Sequence, residues 1–194
     1  MENLNPTAAT TNRPASRSRA IRILALSGSP GAGVATVTRL LTEEPGTLVV
    51  SMSAFPRLTL EAESGPNALN DEALAEFRCA KEKLERTCWV RPFHRRLLRL
   101  LRRGLPARLV ITGLLTEIDV RYCKSIGARL IHLQAPADVR KLRIGVRFPE
   151  RGLEAFESLE KLVRSQPQLW DLILDTDEPY PSFVQSLRAQ MGRL

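Results

Sequence analysis

The stretch Gly28-Ser29-Pro30-Gly31-Ala32-Gly33-Val34-Ala35-Thr36 has the residue types and spacing of a chemical device. Gly28 and Gly33 stand at the spacing of the phosphate-binding pattern Gly-x-x-x-x-Gly-Lys-Ser/Thr. Glycines matter there because successive backbone N–H groups must turn inward toward an anion, at the positive end of a helix. Here the lysine position holds Val34 and the magnesium-binding hydroxyl position holds Ala35. Thr36 comes one residue late, and one helical step turns a side chain by about 100°, away from the usual metal position. The expectation is a degenerate nucleotide site built from Gly28, Ser29, Gly31, Ala32, Gly33 and Thr36. It would hold ATP weakly, and Mg²⁺ would lack its usual ligand. The competing reading is a glycine turn that lets a helix pack close to a strand.

A second candidate is charge. Lys81 to Arg108 holds ten Lys/Arg against two acids, a balance of +8 that equals the net charge of the whole 194-residue chain. Within it, Arg95, Arg96, Arg99, Arg102 and Arg103 lie around a helix face opposite Leu97, Leu98 and Leu101. Such a face suits a phosphate-bearing ligand, an acidic protein or nucleic acid; it also suits plain solvation. No apolar run approaches the ~20 residues of a membrane helix, and the N-terminus lacks a signal-peptide core. Cys79, Cys88 and Cys123 follow no metal or disulfide spacing, so buried reduced thiols are expected in a cytoplasmic or nuclear, non-secreted protein.

The elements that must position these residues read as α/β. Residues 1–20 are polar and basic and read as a disordered tail, leaving 21–194 as a single domain. Apolar runs predict strands at Ile21–Leu26, Thr47–Met52, Arg108–Gly113, Leu130–Leu133 and Leu172–Leu174. Between them helices are predicted after Gly33, from Asp71 (capped by Asn70) to about Trp89, and from Phe93 to Arg103. Further helices are predicted over Ile118–Ile126, from Pro136 through Arg143, and around Leu153–Arg164 and Ser182–Met191. Strands that alternate with helices and are apolar throughout predict a doubly wound parallel sheet with helices on both faces.

In this order the pieces resemble a family, the animal-type phosphomevalonate kinases of the P-loop, nucleoside-monophosphate-kinase-like group. The resemblance runs from Ile21 to Leu194. It rests on the Ser27-Gly28 loop after the first strand, the basic helical middle, and Leu109-Val110-Ile111 leading to Ile118 and Tyr122. It continues through Gly127-Ala128-Arg129-Leu130-Ile131, Arg140-x-x-Arg143 and Leu169-Trp170-Asp171-Leu172-Ile173-Leu174-Asp175. Phage-type deoxynucleoside monophosphate kinases share much of this layout. The resemblance implies a P-loop kinase-like fold and lid arginines at Arg140 and Arg143. The departures fall on chemistry. Where the family has a Ser-Asp-x-Arg-Arg-like sequence, this chain has Thr112-Gly113-Leu114-Leu115-Thr116. Without the loop lysine, the acid and the arginines, positioning and charge stabilisation of phosphoryl transfer fail together.

Three functions follow as expectations. The first is a catalytically impaired pseudokinase that acts through binding, with no catalytic residue assigned. The second is a working small-molecule kinase with Arg140, Arg143 or Arg147 in place of the lysine. The third is a protein- or nucleic-acid-binding module on a kinase scaffold. Arg95, Arg99, Arg140, Arg143 and Arg147 are the candidate phosphate or partner contacts. His132 reads as a core residue, and His94, among arginines, as a poor general base. Glu154, Glu157 and Glu160 read as a solvated face with no metal, and Trp89 and Trp170 as core anchors.

Overall fold

The computed structural model describes residues 21–65, 71–145 and 153–192. Five strands form one sheet: β1 (Arg22–Ser27), β2 (Thr47–Ser51), β3 (Arg108–Thr112), β4 (Arg129–Gln134) and β5 (Leu172–Asp175). Their order is β2-β3-β1-β4-β5, and every pairing is parallel. Parallel strands need crossovers, and all but the last of eight helices among the described residues supply them. These are α1 (Val34–Thr42), α2 (Ala54–Ser64), α3 (Asp71–Leu84), α4 (Val90–Arg103), α5 (Glu117–Ser125), α6 (Ala137–Ile144), α7 (Leu153–Ser165) and α8 (Tyr180–Gly192).

Alternation along each strand divides the core in two. Ala25, Leu109, Ile111 and Leu130 face a cluster completed by Phe93 and Leu97 of α4, Val120 of α5 and Leu159 of α7. Leu24, Leu26, Val110 and Ile131 face the other way, onto Val37 and Leu41 of α1 and Phe183 and Leu187 of α8. The strands are covered on both faces, which is why they read as continuous apolar runs. The predicted α/β class, the parallel sheet and the two helix layers are all present.

The structure corrects the helical middle. The single helix predicted from Asp71 to Trp89 ends at Leu84, and α4 begins at Val90 rather than Phe93. Pro92 explains the break. Its ring would clash with a carbonyl four residues earlier in a continuing helix, but as the third residue of α4 it needs no N–H partner. Pro56 occupies the same place in α2, a helix absent from the sequence reading. Of the cysteines only Cys123 is buried; Cys79 and Cys88 are half-buried, and none of the three is in a disulfide. The 1–20 tail, the Asn70 cap and Arg147 lie outside the described residues.

Candidate functional site: a cleft at the phosphate loop

Parallel α/β sheets present their ligand sites at the carboxyl ends of the strands, where neighbouring crossovers diverge. At this end, between β1 and β3, lies a cleft of about 1030 Å³. One wall is the glycine loop, running from Ser27 at the end of β1 into α1. Gly31 has φ 82° and Gly33 φ 95°, left-handed values that glycine adopts without strain. At Gly31 the approach is also close, since a Cβ would lie 2.7 Å from the Arg140 carbonyl oxygen. Gly33 caps α1 without a side-chain acceptor. The N–H groups of Val34, Ala35 and Thr36, the first turn of α1, therefore have no intrahelical partner, and all three residues line the cleft. This backbone geometry fits an anion. The side chains do not add to it, being an isopropyl, a methyl and one hydroxyl.

The loop is clamped from behind by charged residues. Ser29 donates its hydroxyl to Glu160 of α7, which also pairs with Arg140 at 3.4 Å. Arg140 donates further to the Ala135 carbonyl at 3.1 Å. Arg143 donates to the Gly31 carbonyl at 3.2 Å, to the Thr176 hydroxyl at 2.9 Å and to the Thr176 carbonyl. Deeper still, the Ser27 hydroxyl and His132 Nδ1 share a buried hydrogen bond of 2.9 Å, with Trp170 against the imidazole. Burial pulls the His132 pKa down to about 4, partly opposed by Glu160, so the ring is neutral at physiological pH.

The opposite wall is the segment Gly113–Thr116 between β3 and α5. Behind it lies Arg78 of α3, whose side chain is fully buried. Its guanidinium donates to Asp119 at 2.7 and 2.9 Å, to Glu82 at 3.1 Å and to the Gly113 carbonyl at 3.3 Å. Asp119 in turn accepts the N–H groups of Leu115 at 2.9 Å and Thr116 at 3.2 Å, closing the start of α5. Burial opposes the charge on Arg78, but Asp119 and Glu82 outweigh it and raise its pKa. The pKa of Glu82 is also raised, by burial ahead of the opposing pull of Arg78.

Gly113 sits where the resemblance called for an acid. Its φ is 71°, and a Cβ there would lie 2.6 Å from Ser53 Oγ and 2.7 Å from Ser51 Oγ. Those two hydroxyls, 2.8 Å apart, occupy the room an aspartate side chain would need. Both line the cleft, as do Arg39 of α1, Arg57 of α2 and Arg143, while Glu178 is the one carboxylate on the lining among the described residues. Among the described residues no three His, Cys, Asp or Glu are grouped to hold a metal ion. The residues present suit a phosphate better than they suit a divalent cation.

The sequence candidates thus separate. Gly28, Ser29, Gly31, Gly33 and Thr36 line the cleft; Ala32 is buried beneath it. Arg143 reaches the rim, whereas Arg140 faces a smaller cavity behind the loop. Arg95 and Arg99 lie on the outer side of α4, away from the cleft. His132 is buried in the core, and exposed His94 meets the Tyr122 hydroxyl at 2.9 Å. Trp89 and Trp170 are buried. Glu157 is exposed, but Glu160 is a correction, since the loop and Arg140 engage it rather than solvent. Missed from sequence were Arg39, Arg57, Ser51, Ser53, Arg78 and Asp119. The Arg78/Glu82 spacing of four was the signal available for the last group.

No protein-family model matches this chain, and no curated protein matches it in sequence. Solved structures do match in shape. A sugar kinase from Janibacter sp. HTCC2649 superposes with a TM-score of 0.53 at 18% identity, covering 89% of this chain and 95% of its own. Shikimate kinase from Bacteroides thetaiotaomicron gives 0.53 at 14% identity, covering 89% and 99%. The tunicamycin resistance protein of Deinococcus radiodurans gives 0.58 at 16% identity, covering 89% and 96%. At these identities the likeness is one of fold. The chain has the P-loop kinase-like α/β fold, with a parallel five-stranded sheet; the phosphomevalonate kinase resemblance is not singled out by it.

Proposed function

We propose that this protein is a catalytically impaired relative of the P-loop small-molecule kinases, whose cleft binds a phosphate-bearing molecule such as ATP. The observation that carries the reading is the first turn of α1, where the N-cap Gly33 offers no side-chain acceptor and Val34, Ala35 and Thr36 line the cleft. The cradle that recognises a phosphate is kept. The lysine, the acid and the arginines that stabilise a migrating phosphoryl group are replaced by Val34, Gly113, Leu115 and Thr116.

One observation favours a second reading, an active small-molecule kinase. Among the described residues Arg143, on the cleft rim, bonds only to neutral acceptors on Gly31 and Thr176, so its charge is not spent on a carboxylate there. It could stand in for the missing lysine on a phosphate ester; phosphomevalonate and deoxynucleoside monophosphates are the substrates to try.

A thermal-shift titration with ATP, with and without Mg²⁺, tests the binding reading. A native-state ligand stabilises by RT ln(1 + [L]/Kd), about 2.7 kcal/mol at a hundredfold excess over Kd. The shift is expected without Mg²⁺ and lost in Gly31→Val, whose side chain would collide with Arg140. No shift at millimolar ATP overturns it. Turnover near ~1 s⁻¹ in a coupled assay with those substrates establishes the active kinase instead.

A further inference from the structure

Helix α4 has two unlike faces. Phe93 and Leu97 are buried against the sheet. The opposite side carries Arg91, Arg95, Arg96, Arg99, Arg102 and Arg103, all exposed, and the helix contains no acid. Two of the six are engaged: Arg91 pairs with Glu85 at 3.0 Å, and Arg96 lies over the Phe55 ring at 5.9 Å. Arg95, Arg99, Arg102 and Arg103 form no ion pair with any described residue. Like charges four apart repel and weaken a helix, so this arrangement works against the fold's own stability.

The face is not wholly polar. Leu98, 42% exposed, is surrounded by Arg91, Arg95 and Arg102, its neighbours one and two turns away along the helix. Leu105, 72% exposed, follows the helix seven residues later. It borders a shallow hollow of about 360 Å³ that also includes Leu48, Leu100 and Pro106. None of these residues belongs to the phosphate-loop cleft.

We propose that this face docks an acidic amphipathic helix of a partner protein. Its carboxylates would pair with Arg95, Arg99, Arg102 and Arg103, and its apolar side chains would cover Leu98 and Leu105. Arg95, Arg99 and Arg103 recur every four residues, about 6 Å along the axis, the pitch at which a partner helix repeats acids spaced likewise. The six cations on α4 are all arginine, whose planar fork pairs bidentately with a carboxylate. α4 ends at Arg103 and Gly104 is extended, so Leu105 lies just beyond the helix and widens the apolar part of the surface at its C-terminal end. Nucleic acid would answer the charge but leave both leucines uncovered, and this face carries no Phe, Tyr or Trp on which bases stack. A membrane-surface helix inserts a broad apolar face, and that face of α4 is already spent in the core.

The test uses the full chain and four probes in fluorescence anisotropy or vesicle co-sedimentation. They are an acidic amphipathic helical peptide with leucines along one face, the same peptide with serines for leucines, a 16-base-pair RNA, and phosphatidylserine vesicles. The leucine peptide is expected to bind at least tenfold tighter than the serine peptide and than either other probe. Arg95→Glu with Arg99→Glu is expected to weaken it at least tenfold. Leu98→Ser is expected to weaken it severalfold without changing its salt dependence. All three positions are exposed, so thermal melting should fall in none of the variants, and relief of the Arg–Arg repulsion should raise it slightly in the double reversal. Equal binding of the two peptides, tighter binding of RNA or vesicles, or indifference to the double reversal overturns the proposal. ATP in the cleft should leave every one of these affinities unaltered, which separates this result from the fate of the cleft reading.

Discussion

The two walls of the cleft are supported in different ways. The Gly113–Thr116 wall rests on a dry ion pair, with the side chains of Arg78 and Asp119 at 0% and 1% exposure. The glycine-loop wall rests on a wetter clamp, where Arg140 and Glu160 are 13% and 32% exposed, and on one buried neutral bond between Ser27 and His132. In both walls these supporting pairs stand behind the surface, while Arg39, Arg57 and Arg143 are the cations that line the cleft itself. What the contrast teaches is that both walls use charge to hold backbone in place, one through a buried pair and the other through a half-wet one. The walls should therefore respond unequally when their supports are removed.

The largest effect is expected at Arg78. Arg78→Met strands Asp119 as an uncompensated buried carboxylate and should cost about 3–5 kcal/mol in urea unfolding. Arg78→Met combined with Asp119→Leu removes both charges and should recover part of that loss. Recovery stays incomplete because the N–H groups of Leu115 and Thr116 then lose their acceptor. A single variant with a loss under 1 kcal/mol would mean that the wall does not depend on the pair.

Acid should act on the other wall. His132 titrates at about 4 in the fold, against an ordinary value of 6.5. Between those values the unfolded chain binds the proton and the native chain does not, so stability present above pH 6.5 is lost as pH falls toward 4. The full loss is about 3 kcal/mol. His132→Asn keeps a polar partner for Ser27 but cannot titrate. The difference between the two stability–pH curves isolates the imidazole from the acids, and parallel curves would remove it from the support of the loop.

Legibility in the sequence followed the same division. Strands buried on both faces are continuous apolar runs, and the loop's glycines announce a turn, so the sheet and the strand-to-helix glycine turn could be read directly. Helix α2 could not, because Pro56 looks like a breaker unless it is known to occupy the first turn. Arg78 stands just before the basic block Lys81–Arg108 and belongs to no motif, and Glu160 looks like one more solvated acid. Their roles depend on partners 41 and 131 residues away, respectively. No local pattern encodes such pairings.

Restoring charge to the loop gives a smaller, opposite effect. Val34→Lys with Ala35→Ser would add an ammonium and a hydroxyl beside the open amides of α1. The expected gain in ATP affinity is about 2–3 kcal/mol, or ~30- to 150-fold by calorimetry. Phosphoryl transfer should stay negligible, because Gly113 and Leu115 still supply neither acid nor arginine. An intact fold with no gain would reduce the loop to a packing turn.

The smallest effect is expected at Glu160. Glu160→Gln retains an acceptor for the Ser29 hydroxyl but gives up the ionic part of the contact with Arg140. That pair is partly wet and 3.4 Å long. Such pairs are worth about 0.5–1 kcal/mol, and the variant should lose no more than that. Its ATP affinity should also stay close to the parent's, because Gly31 and Gly33 keep their left-handed turn through backbone geometry and the separate Arg143–Thr176 strap. If Glu160→Gln instead abolishes ATP binding as Gly31→Val does, the glycine loop is not self-supporting. The exposed clamp would then carry as much of its wall as the buried Arg78 pair carries of the other, and the contrast between the two walls would fail.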